Sequence, residues 1–294
     1  MKILTVISLL LLASCGSHKI VSKLDNNDDA FSNESFMRFG HTRLTQVNEN
    51  DFLKKELSNC YRGSFSTSLK SFQDKLGEYK TNEKYWLYIG ICYQLYGSHL
   101  KANFYYDYAL SGSKYTQAAI LNNKALVAMK ARNFDDAFPL LEKSIKLAPT
   151  SNVPKYNLAQ LYIKFNHLEK ARSLITPLVR KNQGDVDLIL SMMTIEIASK
   201  DYKRANYWAG KFNSKQLTRE DISLYVALLY YELGNYAEAK EIIGKQRATI
   251  IDEIATASRE LNKKIDIELE RIKEEKDSKD ANNKKGVNRV AVKN

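Results

Sequence analysis

Alanine recurs at a fixed interval through the middle of this chain of 294 residues. Ala137, Ala171, Ala205 and Ala239 follow one another at equal steps of 34 residues, and Ala102 stands one step earlier with a single extra residue. A period of this length is typical of solenoids in which each repeat is a helix-turn-helix unit. Such repeats stack on one continuous core. The pattern therefore favours a binding role over catalysis.

The composition fits helices joined by short turns. The chain is 44% hydrophobic and 27% charged, as in an ordinary soluble protein, and has only 12 glycines and 4 prolines. The net charge is +11, without a block of like charge that would indicate a nucleic-acid-binding arm. A mild basic surplus of this kind suits an anionic envelope surface or an acidic partner protein.

The clearest repeat, residues 83–116, defines which positions must be small and which large. We number its first residue as position 1. Small residues stand at positions 8 and 20, where two antiparallel helices approach most closely, and large apolar residues fill the wider gaps. The residues that carry this pattern are Trp86, Gly90, Tyr93, Ala102, Tyr106 and Ala109. The pattern resembles the tetratricopeptide repeat.

The resemblance covers about two hundred residues. It spans the repeats 83–116, 118–151, 152–185, 186–219 and 220–253 and a degenerate first repeat, 49–82. In repeat 186–219, Met193 replaces the small residue at position 8, which should widen the local helix spacing or push the methionine into a gap. We therefore predict an all-α fold, a right-handed α-solenoid of antiparallel helix pairs of the tetratricopeptide type.

An apolar stripe continues after the last repeat, through Ile254, Ala257, Leu261 and Ile265. It predicts a C-terminal capping helix over residues 254–279 that covers the exposed face of the last repeat and continues as a charged extension. Residues 280–294 are polar, and we expect a disordered tail there.

The N-terminus indicates export. A short positive start precedes an apolar run, Ile3 to Leu12, which is too short to span a bilayer but has the length of a signal-peptide core. The run ends in Leu-Ala-Ser-Cys, which resembles a bacterial lipobox and implies that Cys15 is acylated. The alternative is a plain secretory signal with an incidental cysteine.

The lipobox resemblance implies a lipid-anchored envelope protein. Residues 1–15 form the signal peptide, and residues 16–48 are expected to be a flexible tether. Because Gly16 rather than aspartate follows the cysteine, the pattern implies the outer membrane, facing the periplasm. The two other cysteines, Cys60 and Cys92, would meet an oxidising compartment. A disulfide between them is geometrically feasible, but two small buried apolar residues are the favoured interpretation.

Catalytic and metal-binding motifs are missing from the sequence. The four histidines, His18, His41, His99 and His167, are dispersed without metal-ligand spacing, and neither a phosphate-binding glycine loop nor a nucleophile elbow is present. We expect no enzymatic activity, cofactor, metal or small-molecule substrate. The many aromatic residues mostly occupy repeat-core positions, and export would remove nucleic acid as a partner.

The concave face of the repeats is the candidate binding surface. In the tetratricopeptide family, first-helix positions 2, 5, 6, 9, 12 and 13 tend to line a groove, and asparagine at position 6 binds peptide backbones. The residues that the resemblance places in a groove for a protein or peptide partner are Asn122, Asn123, Leu126, Lys130, Tyr156, Asn157, Gln160 and Lys164. Other repeats have Tyr88, Ser191 and Tyr225 at position 6, so the full two-carboxylate clamp is absent. The alternative is that these asparagines cap turns or face water.

Two functions fit this architecture. The first is a non-enzymatic scaffold or adaptor in the envelope, similar to the tetratricopeptide lipoproteins that assist assembly of pili and outer-membrane secretins. The second is a cell-wall adaptor that recruits peptidoglycan enzymes.

Overall fold

A computed structural model describes residues 51–249 and 252–291 of the chain. Within these ranges the backbone forms fourteen α-helices, one 3₁₀ turn and no strand, which confirms the all-α prediction. The helices form two compact units, one ending at Phe165 and the other beginning at Asn166. The predicted signal peptide, Cys15 and the predicted tether lie outside the described residues.

The first unit contains eight helices. They are α1 (Phe52–Tyr61), α2 (Phe65–Asp74), α3 (Leu76–Tyr79), α4 (Glu83–Leu95), α5 (His99–Ala109), α6 (Lys114–Lys130), α7 (Phe134–Leu147) and α8 (Val153–Lys164). Turns of three residues join α1 to α2, α4 to α5 and α6 to α7, so each of these pairs is a tight hairpin.

The second unit contains six helices. They are α9 (Leu168–Lys181), α10 (Val186–Ala198), α11 (Tyr202–Ala209), α12 (Glu220–Glu232), α13 (Tyr236–Gly244) and α14 (Asp252–Ala291), with the 3₁₀ turn (Gln216–Thr218) before α12. Each of the six sequence ranges contains a first and a second main helix, although α8 and α9 of range 152–185 belong to different units.

The turn between the two helices of every repeat contains one residue with left-handed backbone, spaced like the alanines. These residues are Gly63, Gly97, Arg132, Asn166, Lys200 and Gly234. The following amide closes the turn, as where Asn133 N donates to the Ala128 carbonyl at 2.8 Å. This geometry is the Schellman helix ending, which favours glycine because a Cβ is strained at positive φ.

Positions 8 and 24 carry a small and a large residue in opposite order in the second and fifth hairpins. A Cβ built on Gly90, at position 8, would lie 2.5 Å from the ring of the buried Tyr106 at position 24. Met193 instead packs in a buried cluster with Ala205 and Ala209, the latter at position 24. The methionine therefore fills the gap left by a small partner, one of the two outcomes expected from the sequence.

Cys60 and Cys92 form a disulfide with Cα atoms 5.3 Å apart, which corrects the expectation of two unbridged thiols. The bridge joins α1 to α4, so it ties the degenerate first hairpin to the second. Both side chains are also fully buried. Burial had suggested two unbridged thiols. It is equally compatible with a disulfide, because two neighbouring first helices bring the two cysteines within bridging distance.

Helix α14 caps the second unit, as predicted. Leu261 and Ile265 pack with Ala227, Ala239 and Ile243 of α12 and α13. The structure differs from the expectation at the C-terminus, because the helix continues to Ala291 where a disordered tail was expected from residue 280.

Charged pairs one turn apart favour the extension of α14 as helix. Arg271 Nε donates to Glu268 Oε2 at 2.9 Å, and its Nη1 donates to Glu275 Oε1 at 2.5 Å. Within the described ranges, no helix is both long and apolar enough to span a membrane.

Candidate functional site

The eight residues predicted to line a groove all lie in the first unit, on two first helices. Helix α6 carries Asn122, Asn123, Leu126 and Lys130, and helix α8 carries Tyr156, Asn157, Gln160 and Lys164. Because the first helices of consecutive repeats share the same repeat positions, Asn123 and Asn157 both stand at position 6, and Lys130 and Lys164 at position 13.

The three asparagines form a hydrogen-bonded amide ladder across the two helices. Asn157 Nδ2 donates to Asn122 Oδ1 at 2.7 Å, and Asn122 Nδ2 donates to Asn123 Oδ1 at 3.3 Å. All three side chains are fully buried. A buried amide that lost its partners would leave unsatisfied polar groups in a low-dielectric setting, so the ladder fixes the register of α6 against α8.

The ladder continues into the second hairpin. Gln94 Nε2 lies 3.5 Å from the carbonyl oxygen of Asn123, and the Tyr106 hydroxyl donates to Gln94 Oε1 at 2.5 Å. Burial raises the pKa of Tyr106 well above its ordinary value, so its hydroxyl stays protonated and able to donate.

The remaining predicted groove residues differ in exposure. Leu126 and Tyr156 are buried, Gln160 is half-buried, and Lys130 and Lys164 are exposed. The accessible part of this face is therefore the end that carries Gln160 and the two lysines. The peptide-binding role of the full set stays a prediction, but the burial of the asparagines gives them a structural role as well.

Positive charge gathers at that accessible end. Lys164 Nζ lies 5.2 Å above the centre of the Phe134 ring. Burial lowers the pKa of His99, and the charge of Lys130 lowers it further, so His99 is neutral at pH 7. The lysines therefore supply the charge that this end offers to a partner.

A cleft of 980 Å³ in the first unit was missed by the sequence analysis. Leu76, Lys80, Trp86, Tyr108 and Ser113 are among the residues that line it. Trp86 Nε1 donates to the carbonyl oxygen of Lys80 at 2.8 Å, which orients the indole at the cleft. The repeat pattern placed Trp86 in the core and gave Tyr108 no role. The signal that could have found the cleft is Tyr108 at repeat position 26, where the next four repeats have Lys143, Pro177, Lys211 and Lys245.

Glu83 stands at the same cleft but is already engaged. Its carboxylate accepts hydrogen bonds from the backbone amide and the hydroxyl of Ser113, the latter at 2.9 Å. Burial alone would raise the pKa of this carboxyl, but the hydrogen bonds from Ser113 and Thr116 outweigh it and lower the pKa. Glu83 is therefore a negatively charged structural link between the start of α4 and the start of α6.

Buried carboxylates of the second unit are also held by ion pairs. Asp187 and Glu196 are almost fully buried; Arg219 Nη1 lies 2.6 Å from Asp187 Oδ1, and Arg172 and Arg204 flank Glu196. Burial alone would lower the pKa of Arg219, but Asp221 and Asp187 raise it above its usual value. Across the described ranges, no group of three or more metal-ligating side chains comes together.

Residues 128–194 match the family model for the tetratricopeptide repeat. The paired helices, their three-residue turns and their spacing agree with that match. The chain has the tetratricopeptide-repeat fold. No curated protein sequence matches the chain.

Three solved structures are similar to this chain. A tetratricopeptide repeat protein from Parabacteroides merdae is 18% identical with a TM-score of 0.56, over 74% of this chain and 85% of that one. PilW, a widely conserved type IV pilus biogenesis factor, is 18% identical with a TM-score of 0.56, over 67% and 91%. The pilF protein of Pseudomonas aeruginosa is 15% identical with a TM-score of 0.52, over 74% and 90%. These likenesses establish the fold.

Proposed function

We propose that this tetratricopeptide protein is a non-enzymatic scaffold that holds a segment of a partner protein on the face formed by α6 and α8. The observation that carries the proposal is the amide ladder of Asn122, Asn123 and Asn157, which locks two neighbouring first helices side by side. A binding face that is rigid before the partner arrives loses less conformational entropy on association.

The exposed end of this face indicates the chemistry of the partner. Lys130 and Lys164 stand at the same repeat position on the two helices, both exposed, and the half-buried Gln160 lies one turn from Lys164. Two regularly spaced ammonium groups attract carboxylates, and an amide offers both donors and an acceptor to a peptide backbone. We infer that the partner segment is acidic.

We further propose that the protein is anchored in the bacterial envelope, in the outer membrane facing the periplasm, through a lipid on Cys15. The proposal rests on the lipobox resemblance. Two or more acyl chains give stable anchoring, whereas one chain gives only reversible binding. Replacement of Cys15 by alanine should abolish incorporation of radiolabelled palmitate into the protein in growing cells. Labelling that persists in this variant would contradict the anchor.

Assembly of a pilus or secretin complex is the first process to test. Two of the similar structures are a type IV pilus biogenesis factor and a pilF protein, which favours this process as the starting point. The competing function is a cell-wall adaptor, in which case the partner would be a peptidoglycan enzyme.

Photo-crosslinking in living cells tests the binding face directly. The full chain carries p-benzoylphenylalanine in place of Gln160, and the matched control carries it in place of Lys143, an exposed residue of α7. We expect a discrete crosslinked partner from position 160 and none from position 143. Lys130→Glu combined with Lys164→Glu should remove most of the crosslink. Equal crosslinking from both positions, or no effect of the charge reversal, would contradict the proposal.

A further inference from the structure

Helix α5 is apolar on two opposite faces, but only one of them is covered. The inner face, Ala102, Tyr106 and Ala109, is fully buried in the hairpin. The outer face is exposed to solvent, with Leu100 at 88%, Phe104 at 58% and Tyr108 at 57% of their full accessibility. An apolar helix face is normally buried against another element. The outer face of α5 therefore lacks a cover within the described part of the chain.

The other repeats serve as internal controls for this face. Leu100, Phe104 and Tyr108 occupy positions 18, 22 and 26 of their repeat. The residues at these positions in the next four repeats are Asp135, Pro139 and Lys143; Glu169, Ser173 and Pro177; Lys203, Tyr207 and Lys211; and Ala237, Glu241 and Lys245. The repeat fold thus forms without an apolar triplet here, so the triplet of α5 is a feature of this hairpin alone.

Aromatic rings extend the outer face of α5 onto α4. The ring centres of Phe104 and Tyr108 are 5.6 Å apart, those of Tyr108 and Trp86 are 5.0 Å apart, and those of Trp86 and Tyr105 are 6.0 Å apart. Leu100 lies one helical turn before Phe104 on the same face of α5. We call the surface of these five residues the aromatic patch: Trp86, Leu100, Phe104, Tyr105 and Tyr108. Large contiguous apolar surfaces on a soluble domain mark contact sites.

Three exposed lysines lie along the aromatic patch. Lys80 accepts the indole hydrogen bond of Trp86 through its carbonyl, and Lys101 Nζ lies 5.3 Å above the Tyr93 ring. Lys114 follows Ser113 at the edge of the cleft. In the part of the chain that the structure describes, none of the three ammonium groups has a carboxylate within ion-pair distance.

The carboxylates of Glu83 and Asp107, on the two helices that carry the aromatic patch, are already engaged. Glu83 accepts hydrogen bonds from Ser113, and Asp107 pairs with Lys124. The three exposed lysines therefore give the border of the patch a positive charge, because the charges of Glu83 and Asp107 are already met by their own partners. An occupant of this surface must combine an apolar layer with negative charge at its border.

We propose that the aromatic patch, with Lys80, Lys101 and Lys114, is a docking surface for an anionic phospholipid bilayer. Tyrosine and tryptophan prefer the interface between hydrocarbon and headgroups, and lysines are attracted to anionic headgroups. Leu100, the most exposed large apolar residue in the described part of the chain, is the side chain that enters the acyl region. This surface would hold the first unit against a leaflet, independently of the scaffold function and of Cys15.

Vesicle binding by a chain without the acylated cysteine tests the proposal. The protein is residues 16–294, which keeps every described residue and removes both the signal peptide and Cys15. We expect it to co-sediment with vesicles of phosphatidylethanolamine and phosphatidylglycerol, and to bind vesicles of phosphatidylcholine at least roughly tenfold more weakly, since three lysines contribute to the anionic preference.

Two sets of substitutions separate the apolar and the charged contributions. Leu100→Ser combined with Phe104→Ser should weaken binding to both kinds of vesicle by at least roughly tenfold. Lys80→Gln, Lys101→Gln and Lys114→Gln together should remove the preference for phosphatidylglycerol. Tyr207→Ser is the matched control, because Tyr207 occupies the position of Phe104 in another repeat and is 62% exposed; it should leave binding unchanged. All variants should retain the wild-type thermal unfolding curve.

Fluorescence of Trp86 provides a second readout at the surface itself. In a Trp208→Phe background, Trp86 is the only tryptophan, because the chain has two. Its emission should shift to shorter wavelength on addition of phosphatidylglycerol vesicles and be quenched by brominated lipid. Absence of vesicle binding, or equal binding by the Leu100→Ser, Phe104→Ser variant, would overturn the proposal. So would patch variants that bind vesicles normally but lose an envelope protein, since the surface would then be a protein interface.

Discussion

The second and fifth hairpins fill the same gap between their helices with opposite pairs of side chains. Between α4 and α5, Gly90 leaves room for the buried ring of Tyr106. Between α10 and α11, Met193 stands at the position of Gly90 and Ala209 at the position of Tyr106, both buried in one cluster. The size of one residue compensates for the other. The repeat pattern of a small residue at position 8 is therefore one of two solutions to the same packing problem.

The two hairpins also differ on their outer faces, which packing within the hairpin does not constrain. Phe104 of α5 belongs to an apolar face, whereas Tyr207 of α11 stands between Lys203 and Lys211. Lys211 Nζ lies 4.5 Å above the Tyr207 ring. Residues inside a hairpin specify the fold, and a change in the size of one is compensated by the other. Residues on the outer face are not constrained in this way and can form a contact surface.

The largest effect is expected where the second hairpin depends on its large residue. Tyr106→Ala removes a fully buried ring that lies against Gly90. Because Gly90 has no side chain to fill the space, a cavity remains between α4 and α5, and the free energy of unfolding should fall by about 3–5 kcal/mol. The fifth hairpin already has alanine at this position and fills the gap with Met193. Urea unfolding followed by circular dichroism measures the change, with Tyr108→Ala as the exposed control on the same helix. A loss below about 1 kcal/mol would show that the ring does not support the hairpin.

The disulfide distinguishes the second hairpin from the fifth by a covalent link. Cys60→Ala combined with Cys92→Ala should lower the free energy of unfolding by roughly 3–4 kcal/mol, because the bridge closes a loop between residues 32 apart and restricts the unfolded chain. Reduction of the wild-type protein should produce a similar loss in the same denaturation experiment. Equal stability of the oxidised protein and the double variant would contradict this contribution.

A single methyl group tests the close contact of the second hairpin. The Cβ of Gly90→Ala would lie 2.5 Å from two ring atoms of Tyr106 and should cost about 1–3 kcal/mol, although alanine favours helix. Gly244→Ala is the control, because a Cβ at Gly244 meets no atom within 4 Å. Thermal denaturation should lower the midpoint for the first variant and leave it unchanged or raise it for the second. The reverse order would refute the contact.

The smallest effect is expected at the turns of the two hairpins. Gly97, between α4 and α5, has φ of 88°, and Lys200, between α10 and α11, has φ of 58°. Because a left-handed residue with a Cβ costs about 1 kcal/mol, Lys200→Gly should stabilise the protein by about 0.5–1 kcal/mol and Gly97→Lys should destabilise it. Chemical denaturation resolves both changes. Stabilisation by Gly97→Lys would show that the turn does not constrain the backbone.

The sequence predicted the parts of the fold that depend on repetition. Ala137 and its equivalents marked the close approach of helices, and the stripe through Leu261 and Ile265 marked the capping helix. Both features are periodic, so they can be recognised without coordinates. The left-handed turn residues share this period, but Arg132 and Lys200 concealed it because a Schellman ending is recognised in a sequence by its usual glycine.

Features that depend on one contact between distant residues could not be predicted. The pairing of Cys60 with Cys92 depends on the distance between two helices, which the spacing of 32 residues does not specify. Asn123 and Asn157 were expected at a groove surface, but a lateral hydrogen-bond ladder encloses them, and nothing in the local sequence distinguishes a buried amide from an exposed one. The outer face of α5 was not recognised, because aromatic residues suit both a core and a contact surface and as a group lie mostly at core positions.

Exchange of the pair itself tests the compensation between positions 8 and 24 most directly. Gly90→Met and Tyr106→Ala are made singly and together, which gives the second hairpin the pair of the fifth, and the free energy of unfolding is measured for each. We expect the double variant to be more stable than either single variant, with a coupling of about 1–3 kcal/mol, because the methionine fills the space that the tyrosine ring vacates. Strictly additive losses in the double variant would contradict it.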